Sequence, residues 1–231
     1  MSRFLASILF RRSILTRGIL GFAAAALLTS AATSLHAQFA PPLAGTEVRD
    51  AAALKPPSGA RVALIEFEDL ECPDCARANP LLQEAVAKYK IPWIRHDFPL
   101  PFHAWSMEAA VNARWFDTRS QALGDEYRDQ VFANQPSIVN PAGLQAFTLK
   151  FAQEHKIALP TALDPQGKLA ASVKADYALG QRIGIEHTPT IWVVTTGSQG
   201  APFVEVLDRG QLFQMIDQAL LDTAAAAKSG K

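Results

Sequence analysis

An apolar run with β-branched members, Arg61-Val62-Ala63-Leu64-Ile65-Glu66-Phe67-Glu68, lies three residues before Cys72-Pro73-Asp74-Cys75. A near-continuous apolar run of this length is the pattern of a strand covered on both faces. Residues 72–88 then read as a helix. Cys72 stands at its cap, and Pro73 takes the first helical position, where its missing N–H costs nothing. Residues 91–98 read as a second strand, stopped by Pro99 and Pro101. Strand, helix and strand at this spacing predict a βαβ unit with the cysteines at its first strand-to-helix junction.

The middle of the chain is helical. His103, Met107, Val111 and Trp115 step by fours, with Ala110 on the same face. Asn140-Pro141 opens another helix with Leu144, Phe147 and Phe151 along one side. Asp164-Pro165 opens a third, which Gly184 closes. Residues 190–196 return to a strand, and 203–207 form a further short one after Gly197-Ser198-Gln199-Gly200. Residues 211–221 form a final amphipathic helix with Leu212, Ile216, Ala219 and Leu220 inward, and 224–231 are left as a frayed tail. The order βαβ, helices, ββα predicts an α/β domain over 60–222. Its central sheet is flanked by helices, and a helical insertion at about 102–184 separates the two halves of the sheet.

The N-terminus has its own character. Arg3, Arg11, Arg12 and Arg17 come first, with no acid among them. An alanine-rich apolar run, 18–28, follows, and then small and polar residues ending in Leu35-His36-Ala37. Basic, apolar, small is the order of a secretory signal peptide, here 1–37 with cleavage after Ala37. The alternative is an uncleaved anchor, but the strongly apolar stretch is about half the ~20 residues a span needs. Phe10-Arg11-Arg12-Ser13-Ile14-Leu15 also resembles a twin-arginine export signal. Residues 38–59, with Pro41-Pro42 and Pro56-Pro57, read as a tether. Lys plus Arg equal Asp plus Glu over the whole chain, which argues against nucleic acid as a partner, and removal of the leader leaves an acidic excess.

Cys72 and Cys75 are the only cysteines. Alone they cannot supply a structural zinc site, and no histidine sits beside them at finger-like spacing. Two readings remain, a stapling disulfide and a redox pair. Three residues' separation closes a very small loop and gives little entropic stabilisation, so the staple is the weaker reading. The thiolate is the species that attacks a disulfide, and a helix N-terminus favours negative charge. Cys72 at the cap is therefore expected to be the exposed nucleophile. Cys75, one turn in, is expected to be the buried resolving thiol.

Three segments resemble one known group. Ile65-Glu66-Phe67-Glu68-Asp69-Leu70-Glu71-Cys72-Pro73-Asp74-Cys75 resembles the active-site segment of the DsbA-like thioredoxin-fold thiol–disulfide oxidoreductases. Arg95-His96-Asp97-Phe98-Pro99-Leu100 looks like that family's second strand and exit. Gly184-Ile185-Glu186-His187-Thr188-Pro189-Thr190 resembles its cis-proline loop. The resemblance implies a thioredoxin fold with an inserted helical subdomain. It implies that Cys72 and Cys75 are the redox pair and that Glu66 is a buried acid handling the proton of Cys75. It implies that Pro189 is a cis-proline facing the sulfurs, with Thr188 backbone groups free to pair with an extended substrate. Without the resemblance, Glu66 would read as an outward-facing strand residue.

The chain departs from the family pattern at two places. His187 stands where many relatives have glycine; near the sulfurs and protonated it would favour a thiolate, and otherwise it is a loop histidine facing water. Asp74 stands where most relatives carry a neutral, aromatic or basic residue. With Asp69 and Glu71 close by, it is expected to repel the Cys72 thiolate and make the enzyme a weaker oxidant than the strongest family members. His103, Trp105 and Trp115 are read as packing or capping residues before substrate contacts. The leader at 1–37 implies an exported, periplasmic protein, and the resemblance implies an enzyme with no cofactor beyond its own disulfide. Its partners would be exported cysteine-containing proteins and a membrane redox protein that resets the pair, with no metal and no nucleic acid. The alternatives are a reductase dedicated to one client and a peptide-binding module with incidental cysteines.

Overall fold

The computed structural model describes residues 45–197 and 200–229, all within the larger of the two units into which the chain divides, 42–231. The export signal expected at 1–37 lies outside the described residues. The elements run β1 (Val62–Glu68), α1 (Pro73–Tyr89), β2 (Trp93–Asp97), α2 (Ser106–Asp117), α3 (Gln121–Asn134), α4 (Pro141–Glu154), α5 (Lys168–Ile183), β3 (Thr190–Thr195), β4 (Phe203–Glu205) and α6 (Leu212–Ser229). Short 3-10 turns lie at Gln135–Ser137 and Arg209–Gln211.

The sheet order is β2-β1-β3-β4. The β1–β2 pair is parallel, with Glu66 beside Arg95, as the βαβ reading requires. The β1–β3 and β3–β4 pairs are antiparallel. Every residue of β1 and β3 is buried, because helices cover both faces. Alternation sends Val62 and Leu64 toward Ala78, Leu82 and Ala85 of α1 and Leu212 and Ile216 of α6. Ala63, Ile65 and Phe67 pack on the other face with Ile183 of α5 and with Leu54. By the same period Glu66 and Glu68 fall on the α1 side, with no outward face to take them.

The helical insertion has its own apolar cluster, including Trp105, Trp115, Phe116, Tyr127, Phe132 and Phe151. Leu70, Cys72 and Cys75 belong to the same cluster, so the insertion packs directly on the cysteine loop. A buried ionic network docks it to the sheet. Glu68 takes two donors of Arg95, Nε at 3.1 Å and Nη2 at 2.9 Å. Arg128 of α3, 2% exposed, reaches Glu68 at 3.5 Å, Asp97 at 4.0 Å and Asp117 at 2.8 Å. Arg95 also meets Asp129 at 3.0 Å. Arg114 of α2 bridges Asp97 and Asp176, and His96 Nδ1 lies 3.0 Å from Asp176.

The local signals hold well at several ends. Asn140 caps α4 by accepting from the Gly143 N–H, with Pro141 in the first turn. Gly184 ends α5 at φ 110°, left-handed backbone that favours glycine. Asp164 does not start α5, which begins at Lys168, but its carboxylate accepts from the Ala170 N–H. Helix α3 packs Leu123, Tyr127, Val131 and Phe132 into the insertion's apolar cluster. Its inner face includes Arg128 and Gly124, and a Cβ at Gly124 would collide with the Asp117 carboxylate.

Two segments differ from expectation. The described part of the tether, 45–59, has no helix or strand, yet it is fastened to the domain. Leu54 is 2% exposed, the Arg49 N–H bonds the Ile183 carbonyl, and Thr46 bonds Glu205 through both N–H and hydroxyl. The last helix continues through Ser229 instead of fraying after Leu221. Ala224 to Ala227 are strong helix formers, and the buried Thr223 returns its hydroxyl to the Ala219 carbonyl at 3.0 Å. Among the described residues no helix is long and apolar enough to cross a membrane.

Because Arg128 faces three carboxylates, Arg128→Ala should cost about 3–5 kcal/mol, the usual cost of leaving buried charges uncompensated. Urea unfolding of both proteins measures it. A loss below about 1 kcal/mol would show that the network does not hold the insertion.

Candidate active site

The site grows from the junction of β1 and α1. Cys72 has extended backbone at the helix cap, and Pro73 begins the helix. Both cysteines are free thiols. Cys72 is 7% exposed and Cys75 is not exposed at all, so Cys72 is the more accessible sulfur although it too is largely covered. The Cys72 thiol donates to the Thr188 carbonyl at 3.3 Å, and the Asp69 N–H donates to Cys75 Sγ at 3.4 Å. The Thr188–Pro189 peptide bond is cis. The two cysteines, Thr188 and the cis Pro189 are thus brought together.

The two sulfurs are driven in opposite directions. Cys72 is lowered to about 5, chiefly by a hydrogen bond from the Cys75 thiol, against the opposing effect of burial. The Thr188 hydroxyl and the Cys75 and Asp74 N–H groups lower it further. That hydroxyl is buried and has no hydrogen-bond partner among the described residues while Cys72 is a thiol. Burial pushes Cys75 well up, and the negative charges of Cys72 and Glu66 add to it.

Glu66 is 1% exposed. Trp93 Nε1 donates to its Oε2 at 3.1 Å, and its Oε1 has no hydrogen-bond partner among the described residues. Burial raises it well above the carboxylate range, and Glu68 raises it further; Arg95 and Trp93 pull it back. Burial thus favours the protonated form of this carboxyl.

The acids near the motif do not stand open as expected. Asp74 Oδ1 is 2.6 Å from Arg209 Nη2 and 3.1 Å from Arg77 Nη2. Glu71 Oε2 accepts from the Trp105 N–H at 2.6 Å. Asp69 accepts from the Glu71 and Leu100 N–H groups at 2.7 and 2.6 Å, and its Oδ2 lies 2.7 Å from His103 Nδ1. His103 lies in the loop before α2 and fastens that loop to the redox segment. The expected repulsion of Cys72 by Asp74 is therefore offset by cations that the motif alone does not reveal.

Gln135, in the turn after α3, donates to the Leu70 and Cys72 carbonyls at 2.8 and 3.1 Å. Nothing local in the sequence marked this residue. Beside Pro189 a groove of about 270 Å³ runs over Ile191, Val206 and Leu207, bounded by Asp74, Arg209, Glu205 and His187. His187 is exposed, and its Nδ1 lies 3.2 Å from Thr190 Oγ1. Among the described residues no group of three or more His, Cys, Asp or Glu side chains could hold a metal ion.

A strand-to-helix cysteine pair facing a cis-proline on this sheet is the arrangement of thioredoxin-like proteins. A family model described as thioredoxin matches residues 57–202, and the chain belongs to that family. Its fold is that of DsbA-type proteins. Wolbachia pipientis α-DsbA1 is similar at 16% identity, over 77% of this chain and 93% of that one, with a TM-score of 0.60. Bacillus subtilis BdbD is similar at 20% identity, over 77% and 98%, with a TM-score of 0.56. Pseudomonas aeruginosa DsbA2 is similar at 20% identity, over 71% and 91%, with a TM-score of 0.52. No curated protein matches the chain by sequence.

Iodoacetamide should modify Cys72 before Cys75 in the reduced protein. The rate should fall as pH drops through about 5, where Cys72 takes up its proton, and stay nearly flat from about 6.5 to 8. Mass spectrometry of quenched samples reads both the site and the rate. A midpoint near the ordinary thiol value of about 8.5, or faster modification of Cys75, would contradict the site's electrostatics.

Proposed function

We propose that this chain is an exported thiol–disulfide oxidoreductase that passes its Cys72–Cys75 disulfide to cysteine-containing proteins. The observation that carries the reading is the placement of the pair: Cys72 at the cap of α1 bonds the Thr188 carbonyl next to the cis Pro189, and Cys75 one turn in is fully buried, so that the site favours the thiolate at Cys72 and disfavours it at Cys75. A pair meant only to staple the loop has no use for that asymmetry.

The exchange follows from the geometry. A client thiolate attacks Cys72 Sγ of the disulfide. The Cys72–Cys75 bond breaks, a client–Cys72 bond forms, and Cys75 leaves as a thiolate in a buried, apolar place. Glu66, held protonated by burial, supplies its proton. A second client thiolate then attacks the client sulfur of the mixed disulfide, so the client gains a disulfide and Cys72 departs as the thiolate that its surroundings favour. The pair has taken up two electrons, which a membrane redox partner then removes. The groove beside Pro189 is suited to an extended client segment, with apolar side chains over Ile191 and Val206 and backbone pairing at Thr188. His187, at the rim, would meet the client and not the sulfurs. Pro73 and Asp74 complete the motif that sets the potential. The leader at 1–37 supports action outside the cytoplasm, where disulfides persist.

The Cys75→Ala protein tests this reading. Expressed in its host and precipitated with acid, it should carry client proteins on Cys72 as dithiothreitol-sensitive adducts. The Cys72→Ala, Cys75→Ala protein should carry none. Absence of adducts on the single variant, with clients still held non-covalently, would favour a peptide-binding module.

A further inference from the structure

Arg209 is 135 residues away from Asp74 in the chain, yet it holds that residue twice. Nη2 meets the carboxylate at 2.6 Å, and Nη1 meets the backbone carbonyl at 3.1 Å. Two donors of one planar guanidinium on one residue fix orientation as well as charge. Arg209 is itself held. It opens a 3-10 turn whose cap, Asp208, accepts from the Gly210 N–H at 2.9 Å and from the Gln211 amide at 3.2 Å. Arg77 reaches the same Asp74 oxygen at 3.1 Å, but its side chain is 68% exposed, twice the figure for Arg209.

We propose that Arg209 is a positioning residue of the redox pair: it holds the Asp74 carboxylate away from the start of α1, leaving the N–H groups there to the Cys72 thiolate. The inference rests on the proposed oxidoreductase reading. Without a partner, a carboxylate in the first helical turn turns toward the nearest unpaired N–H groups, those of Asp74 and Cys75 that lower Cys72. It would also place an unneutralised negative charge beside the thiolate. The charged groups facing this corner are Arg77 from α1, Arg209 from the turn before α6, Glu66 from β1, Glu205 from β4 and His187 from the loop before β3. Asp69 and Glu71, in the loop before α1, are each tied to other groups. Arg209 touches no sulfur, so it acts through Asp74 alone.

The test is a double-mutant cycle on the leaderless protein. The thiolate absorbance of the reduced form gives the Cys72 pKa. Equilibration of protein disulfide plus two glutathione thiols with protein dithiol plus glutathione disulfide gives the equilibrium constant. Arg209→Gln should raise the Cys72 pKa by about 0.5 unit and lower the constant about threefold, the scale of a half-exposed ion pair with Arg77 still present. Asp74→Asn should move both quantities the other way, because an unpaired guanidinium is left beside the thiolate. The double variant should return to within about twofold of the parent. Unchanged values in Arg209→Gln, or a double variant that keeps the full shift of Arg209→Gln, would overturn the role. Should Arg209→Gln fail to fold, a raised pKa in Asp74→Asn would overturn it equally. The thiolate titration needs no client, so its outcome is separate from that of the adduct experiment.

Discussion

Glu68 is a carboxylate at the end of a fully buried strand, and the rest of the architecture is arranged so that it can stay there. Burial pushes its pKa up, and Arg95 and Arg128 pull it back. Arg95 comes from the neighbouring strand and Arg128 from the insertion. One buried charge therefore ties the sheet to α3, and through Asp97 and Arg114 to α2 and α5 as well. Such a network adds little net stability over well-packed apolar groups, but each member is costly to leave without its partners. Its physical role is to admit one seating of the insertion on the sheet.

That seating matters because the insertion makes the floor and pins of the cysteine loop. Gln135 holds the Leu70 and Cys72 carbonyls from one side, while the Trp105 N–H and His103 hold Glu71 and Asp69 from another. Of the loop's backbone donors, the Asp69 N–H goes to Cys75 Sγ, while the Glu71 and Cys72 N–H groups close on Asp69. The result is a steep gradient over one helical turn. A thiol near the surface is eased into its anion, and its partner, buried beside Glu66, keeps its proton. Because Cys72 is lowered, its ionisation stabilises the folded reduced form. That contribution grows as pH rises from about 5 toward the unfolded thiol value and vanishes as pH falls through about 5.

Much of this was legible in the sequence, and what was hidden has a physical pattern. The strand–helix junction, the Pro73 start, the Asn140 cap and the Gly184 stop are local signals, and the structure carries them. The resemblance pointed to Pro189, whose cis bond no periodicity could reveal. The residues that escaped act at long range. Arg209 meets Asp74 across most of the domain, and Gln135 meets a carbonyl it cannot be paired with by spacing. Helix α3 buries Tyr127, Val131 and Phe132 at helical spacing, but its inward face also carries Arg128, whose counter-charges lie on other elements and are not visible locally. Asp74 was read without its partners Arg209 and Arg77 for the same reason, since a charge read from sequence has no visible counter-charge.

A site that stabilises the reduced pair through the Cys72 thiolate must show it in the reduction potential of Cys72–Cys75. Equilibration with glutathione at pH 7 should give a value closer to that of DsbA, about −120 mV, than to that of thioredoxin, about −270 mV. A value nearer the thioredoxin end would contradict the account, because a thiolate held this low must make its disulfide easier to reduce.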